Sequence, residues 1–101
     1  LAQKTPIVFL DEPSSHLDLF NKAQLFQEIK HIVKKEKKTV VFSSHDLNTA
    51  IQICDQIIIL LNNQWEYGSP EELIEKGVFQ SMFPKESVFF DPKQKQFNIC
   101  V

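Results

Sequence analysis

Two adjacent acidic residues, Asp11 and Glu12, directly follow a short apolar run, residues 7–10. If that run is a buried strand, its backbone holds both carboxylates at the edge of a sheet. One carboxylate could hold Mg²⁺ through water, because magnesium keeps part of its hydration shell, and the other could deprotonate an attacking water. Positioning and charge stabilisation of this kind are the main contributions of a protein to phosphoryl transfer. Taken alone, the pair is better explained as solvated acids that end a strand.

A histidine, His45, follows a second apolar run, residues 39–44, and Asp46 comes directly after it. An imidazole in this place could hydrogen-bond a terminal phosphate and the attacking water. Taken alone, it is better explained as a surface histidine near the start of a helix. His16 lies in a polar loop, and His31 lies in the middle of a predicted helix. We therefore interpret both as structural or interfacial residues.

Alternating strands and helices must position these side chains. Residues 5–10, 39–44 and 56–61 are apolar runs of strand length. Amphipathic helical patterns lie between them, with Asp18 and Asp46 as the predicted N-caps. This order predicts an α/β protein with a parallel sheet, in which the carboxyl ends of the strands open on one edge. We expect the polar residues that follow the first two strands to meet at that edge.

The second half of the chain carries local turn and capping signals. Asn62 and Asn63 suit a tight turn before an antiparallel return over residues 64–67, because asparagine tolerates positive φ. Residues 69–77 predict a helix with a serine N-cap, a proline at its first position, a capping-box glutamate and a terminating glycine. The tail, residues 87–101, predicts two short strands around a polar turn.

Composition argues against several classes of protein. The chain has 101 residues, of which 43% are hydrophobic and 24% charged, with a net charge of -2. These values suit one globular domain or part of a larger one, and they give no reason to expect nucleic acid as a partner. No apolar stretch approaches the roughly 20 residues that span a bilayer. The two cysteines, Cys54 and Cys100, lack zinc-ligand spacing, which favours a reduced, cytosolic setting.

The combination of motifs is more specific than any one of them. The stretches, in chain order, are "IVFLDEP" (7–13), "SHLD" (15–18), "SSHDL" (43–47), "CDQIIIL" (54–60) and "GSPEEL" (68–73). In this combination the chain resembles the ATP-binding subunit, or nucleotide-binding domain, of ABC transporters. "IVFLDE" resembles the Walker B strand, "SSHLD" the D-loop and "SSHD" the switch-histidine loop. The initial "LAQ" resembles the end of the helix that follows the family's signature motif.

This resemblance implies a fold and a division of the chain. The fold is a partial P-loop NTPase (RecA-like) ABC ATPase core of the α/β class, with parallel strands, flanking helices and a C-terminal antiparallel extension. Residues 1–77 would be the C-terminal part of that core, and residues 78–101 an extension with short strands. The stretch at 43–60 and the tail resemble most closely the ATPases of importers for iron chelates, haem or cobalamin.

The resemblance also assigns roles to individual residues. Asp11 matches the magnesium aspartate, which acts through water, Glu12 the general base of ATP hydrolysis, and His45 the γ-phosphate sensor. The D-loop that crosses the interface of the nucleotide-sandwich dimer comprises Ser15, His16, Leu17 and Asp18. ATP and Mg²⁺ are the implied cofactors. The implied partners are a second ATP-binding subunit and membrane permease subunits, at the cytoplasmic face of the cell membrane, with no nucleic acid.

Other motifs of the family do not occur in the sequence. A phosphate-cradling loop needs GxxxxGK[ST], whereas Gly68 and Gly77 are the only glycines and neither begins such a motif. The signature motif and the glutamine loop precede the Walker B strand in the family. We therefore expect a C-terminal fragment that alone is inactive and binds ATP poorly. The family's phosphate-loop strand lies inside the sheet, so the strand at 39–43 is expected to lack a neighbour and to favour self-association.

Two alternatives remain open from the sequence. An ABC ATPase of translation or DNA repair is suggested by "SHLD", although "HDLNTAIQICDQIIIL" resembles the transporter branch. A non-catalytic interaction module would keep the fold without the chemistry, although Asp11, Glu12 and His45 are all present. The resemblance implies that this subunit does not contact the transported substrate.

Overall fold

The computed structural model describes residues 6–101, which fold into strands and helices in an α/β order. The proposed helix end at residues 1–3 lies outside the described residues. The elements are β1 (Ile7–Asp11), α1 (Leu19–Glu36), β2 (Thr39–Ser43), α2 (Leu47–Ile53), β3 (Ile57–Leu61), β4 (Gln64–Gly68), α3 (Pro70–Glu75), a 3₁₀ turn (Phe79–Ser81), β5 (Val88–Asp91) and β6 (Gln96–Ile99). The chain divides between His45 and Asp46 into two compact units.

The first unit is a parallel strand pair with its crossover helix. β1 and β2 pair in parallel from Ile7 opposite Thr39 to Asp11 opposite Ser43, which confirms the parallel arrangement predicted for these strands. Between them, α1 begins at the predicted cap, where the Asp18 carboxylate accepts a hydrogen bond from the Asn21 amide at 2.8 Å. The helix ends at Lys37, whose φ of 52° is left-handed.

Side chains alternate between the two faces of this strand pair. On the face towards α1, the ring of Phe42 packs against the buried Phe26 of α1 with ring centroids 5.2 Å apart. The other face exposes apolar side chains, with Ile7 57%, Phe9 74% and Val41 43% exposed. Packing against α1 determines which side chains of β1 and β2 lie on each face of the pair. It therefore also determines the direction of the side chains at the ends of the two strands.

The second unit is built on antiparallel pairs. β3 pairs with β4 through a two-residue turn at Asn62 and Asn63, whose φ angles of 50° and 62° match the predicted turn. β5 pairs with β6, as predicted for the tail. The capping box of α3 is also confirmed, since the Ser69 and Glu72 side chains each accept the other's backbone N–H. The core of this unit comprises Ile51, Ile59, Leu73, Phe79 and Phe90.

The C-terminal strands are attached to helix α2 by one side chain. The Asn48 amide oxygen accepts from the Phe97 backbone N–H at 2.7 Å, and its nitrogen donates to the Phe97 carbonyl at 3.2 Å. Phe97 also packs edge-on against Phe79 and Phe90, with ring centroids 5.9 Å and 5.0 Å away. The predicted extension is therefore part of the packed unit that contains α2.

Each sheet in residues 6–101 has two strands. Within the second unit, β3 takes β4 as its antiparallel partner. The physical reason is local: a two-residue turn makes the antiparallel partner of β3 available at once, whereas a parallel partner needs a long crossover. Among residues 6–101, β2 pairs with β1 on one edge, and the missing neighbour and the self-association expected from the resemblance stay predictions. Within the described residues, no helix has the length and hydropathy needed to cross a membrane.

Candidate functional site

The parallel register brings together residues from the ends of β1 and β2. Asp11 and Ser43 are the last residues of their strands and lie opposite each other. The Ser43 hydroxyl donates a hydrogen bond of 2.6 Å to Asp11 Oδ1. A short contact between a hydroxyl and an ionised carboxylate is among the stronger hydrogen bonds of proteins. The structure therefore confirms that the polar ends of these two strands share one edge, and it gives Asp11 a fixed partner there.

Glu12 leaves the strand in an unusual backbone conformation. Its φ is 42°, in the left-handed region that costs energy for a residue with a side chain. Its backbone N–H donates to both the carbonyl oxygen and the hydroxyl of Ser43, each at 3.1 Å. These two acceptors hold the turn after β1, which sends the Glu12 side chain in a direction that a continuing strand would not.

His45 completes the group. Its Nδ1 lies 2.7 Å from Glu12 Oε1, although the His45 side chain is 89% exposed. An exposed pair of this kind contributes little to stability, so its significance is the geometry. Nδ1–H can donate to the carboxylate whether the imidazole is neutral or charged. Asp11, Glu12 and His45, the three predicted catalytic and metal-binding residues, thus lie in one connected group.

The predicted D-loop lies directly beside this group. The Ser15 amide donates to the Glu12 carbonyl at 3.2 Å, and the Leu17 amide donates to the Ser14 carbonyl at 3.1 Å. Ser14 is buried, whereas the loop residues themselves are exposed: Ser15, His16, Leu17 and Asp18. Asp18 is also the cap of α1, so its side chain has an intramolecular role in this chain. Tight turns thus hold the loop, with its tip exposed.

The donor set fits Mg²⁺ better than a metal that needs a complete protein cage. Among residues 6–101 there is no cluster of three or more His, Cys, Asp or Glu that could hold a metal ion. Mg²⁺ is commonly bound through one or two carboxylates, with waters and substrate phosphates as its other ligands. Asp11, held by Ser43 at an open sheet edge, offers such a carboxylate.

Ser43 also belongs to the site, although no role was predicted for it. A serine at a strand end is unremarkable in the sequence, and its role depends on the pairing register with a strand many residues away. The available signal was its place immediately before Ser44 and His45 at the predicted sheet edge.

Comparison with known proteins gives consistent results. No family model matches the chain. It is 32% identical over 96% of its length to the petrobactin import ATP-binding protein FpuC of Bacillus anthracis, covering 36% of that protein. It is 36% identical over 82% of its length to the petrobactin import ATP-binding protein YclP of Bacillus subtilis, covering 33% of it. The achromobactin transport ATP-binding protein CbrD of Dickeya dadantii is 30% identical over 82% of this chain, which covers 31% of CbrD.

A solved structure supports the same fold. A chain of an ABC transporter of the metal-chelate type, in an inward-facing conformation, superposes with a TM-score of 0.70 and 22% identity. The match covers 91% of this chain and 37% of that one. Since the chain spans only about a third of the proteins it matches, the likeness concerns one region of them. Over that region, the chain resembles the ATP-binding proteins of ABC transporters in sequence and in its α/β fold, mostly those named for siderophore import, as its motifs indicated.

Proposed function

We propose that this chain is the C-terminal part of the ATP-binding subunit of an ABC importer, in which it supplies residues for ATP hydrolysis. The observation that supports this most is the connected group at the ends of β1 and β2, where Glu12 Oε1 lies 2.7 Å from His45 Nδ1 and Asp11 is held by Ser43. Proteins similar to this region are named as ATP-binding proteins of import systems.

Each residue of the group has a distinct task in this proposal. Asp11 would hold Mg²⁺ through water, and the ion would neutralise charge on the ATP phosphates. Glu12 would accept the proton of the attacking water, for which its carboxylate needs a fixed direction. His45, one short contact from Glu12, would contact the γ-phosphate through its other ring nitrogen and so place the phosphate beside the base.

The remaining parts of the machinery would come from elsewhere in the complete protein. The exposed loop from Ser15 to Asp18 would face a second ATP-binding subunit, and membrane permease subunits would bind the assembly at the cytoplasmic face of the membrane. The phosphate loop and signature motif would lie in the part of the subunit that precedes residue 1. Alone, the 101-residue chain would therefore be inactive.

An iron chelate, haem or a related complex is the proposed cargo class. FpuC, YclP and CbrD are named for petrobactin or achromobactin, which supports a siderophore. Other similar proteins are named for zinc and choline transport, so this assignment rests on the order of similarity.

The test uses the full-length protein, reconstituted with its permease subunits in vesicles. We expect Mg²⁺-dependent ATP hydrolysis that increases with the permease present, and ATP-driven uptake of a ferric siderophore. ATPase activity that responds to ribosomes or DNA, and not to the permease, would favour the translation or repair alternative. Absence of both ATP binding and hydrolysis in the full-length protein would favour the non-catalytic interaction module.

A further inference from the structure

We infer that Ser43 is a positioning residue, which fixes the two acidic residues of the site relative to each other. Its backbone carbonyl and its hydroxyl both accept the Glu12 N–H, at 3.1 Å each, while the hydroxyl proton goes to Asp11 Oδ1 at 2.6 Å. One side chain therefore links the backbone of one acidic residue to the carboxylate of the other.

The chemistry of a hydroxyl makes this link possible. A serine oxygen has one proton to donate and two lone pairs with which to accept. In this structure the proton is used on Asp11 and one lone pair on Glu12, so the two hydrogen bonds run in the same direction through Ser43 Oγ. Hydrogen bonds in series polarise and strengthen one another. A methyl group in place of the hydroxyl would break both.

A purely stabilising role does not account for the arrangement. Ser43, Asp11 and the two hydrogen bonds of the Ser43 hydroxyl are exposed, so water could satisfy each of these groups if the hydroxyl were absent. What water would not supply is a fixed direction for the Asp11 carboxylate. Glu12 would keep its hydrogen bond to the Ser43 carbonyl, so the turn itself would persist. The loss would therefore fall on the geometry of the acids rather than on the fold.

The part of this inference that concerns hydrolysis rests on the proposed function. If Asp11 holds Mg²⁺ through water, the orientation of its carboxylate sets where the ion and the phosphates lie relative to Glu12. Removing the Ser43 hydroxyl should then lower kcat and raise the Mg²⁺ concentration needed for half-maximal rate. The KM for ATP should change little, because the phosphate loop that binds the nucleotide lies outside this group.

The experiment compares Ser43→Thr with Ser43→Val in the full-length protein, because these side chains have the same shape and differ in the hydroxyl. We expect kcat to fall about tenfold in Ser43→Val, as for the loss of one hydrogen bond to a charged group, and by less than about threefold in Ser43→Thr. Crystal structures without nucleotide should show the Asp11 carboxylate turned away in Ser43→Val and held in Ser43→Thr. Equal melting temperatures would show that both variants fold.

The other outcomes overturn the inference or separate it from the proposed function. Equal loss of kcat in both variants would indicate an effect of shape, and no loss in either would remove the hydroxyl from the mechanism. If the wild-type protein hydrolyses no ATP, the proposed function fails, and the crystal structures still decide the geometric claim. An Asp11 carboxylate that keeps its position in Ser43→Val would overturn it.

Discussion

His45 Nδ1 and Glu12 Oε1 lie 2.7 Å apart, although one residue follows β1 and the other follows β2. The parallel pairing of these strands brings the residues together, and the left-handed backbone of Glu12 turns its side chain out of the strand. The contact joins the predicted base to the predicted phosphate sensor. Because His45 is exposed and Glu12 is partly exposed, both are accessible to a substrate held by another part of the protein.

Replacing Glu12 tests its role as the base. We expect Glu12→Gln in the full-length protein to bind ATP within about twofold of wild type and to lose about 10²-fold or more in kcat, the range for removal of a general base. Equilibrium binding and steady-state phosphate release measure the two effects. Glu28→Gln, on the exposed surface of α1, is the matched control and should retain activity. Full turnover by Glu12→Gln would remove Glu12 from the mechanism.

Replacing His45 tests the phosphate sensor. His45→Ala should lower kcat by about 10- to 100-fold, because it removes both the phosphate contact and the partner of Glu12. His31→Ala, an exposed histidine of α1, provides the comparison. Since residues that act as a unit are not additive, the double variant Glu12→Gln with His45→Ala should be little slower than Glu12→Gln alone. Fully additive losses would show that the two residues act separately.

The chain on its own should have no ATPase activity. The acids and His45 are in place, but the sequence has no GxxxxGK[ST] loop to bind the β- and γ-phosphates. Calorimetry with MgATP should show no saturable heat signal, and phosphate release should equal that of buffer. The full-length protein under the same conditions is the positive control. Steady phosphate release by the 101-residue chain would contradict the prediction.

The capping box of α3 should make stability depend on pH in the acid range. The pKa of Glu72 lies below its ordinary value because the Ser69 backbone N–H donates to its carboxylate, and the Ser69 hydroxyl and Lys76 lower it further. The ionised Glu72 carboxylate therefore stabilises the folded chain. This contribution is fully present above the unfolded pKa of about 4.3, and it is lost as pH falls through the lower pKa of the folded state.

Glu72→Gln removes this titration. In urea unfolding of the 101-residue chain, the stability of Glu72→Gln should fall less steeply than that of wild type as pH drops below about 4.3. Glu75→Gln, a second exposed glutamate of α3, is the control and should follow the wild-type curve in that range. Parallel curves for wild type and Glu72→Gln would show that the carboxylate of Glu72 is not favoured by folding.

Local signals in the sequence predicted local structure well. Asp18, Asp46 and Ser69 all cap helices. A short side chain with an acceptor oxygen, placed just before a helical pattern, can accept a hydrogen bond from a free N–H of the first turn. The turn at residues 62–63 followed from the tolerance of asparagine for positive φ. The grouping of Asp11 and Glu12 with His45 followed from the rule that parallel strands end on one edge.

Features that depend on distant pairing were harder to predict. The contacts of Ser43 with Asp11 and Glu12 require the register of β1 against β2, which alternation within each strand does not determine. The attachment of Phe97 to Asn48 likewise joins residues that no sequence pattern connects. The antiparallel partner of β3, by contrast, followed from the short turn at residues 62–63.

The register of β1 and β2 also limits how this region can change by insertion and deletion. The turn at residues 37–38 returns the chain from α1 to the start of β2, so added or lost residues there can leave Thr39 opposite Ile7. A single deletion within β2 is different, because it moves every following side chain to the other face and separates Ser43 from Asp11. Length variation should therefore be tolerated at the turn over residues 37–38 and excluded from residues 39–45.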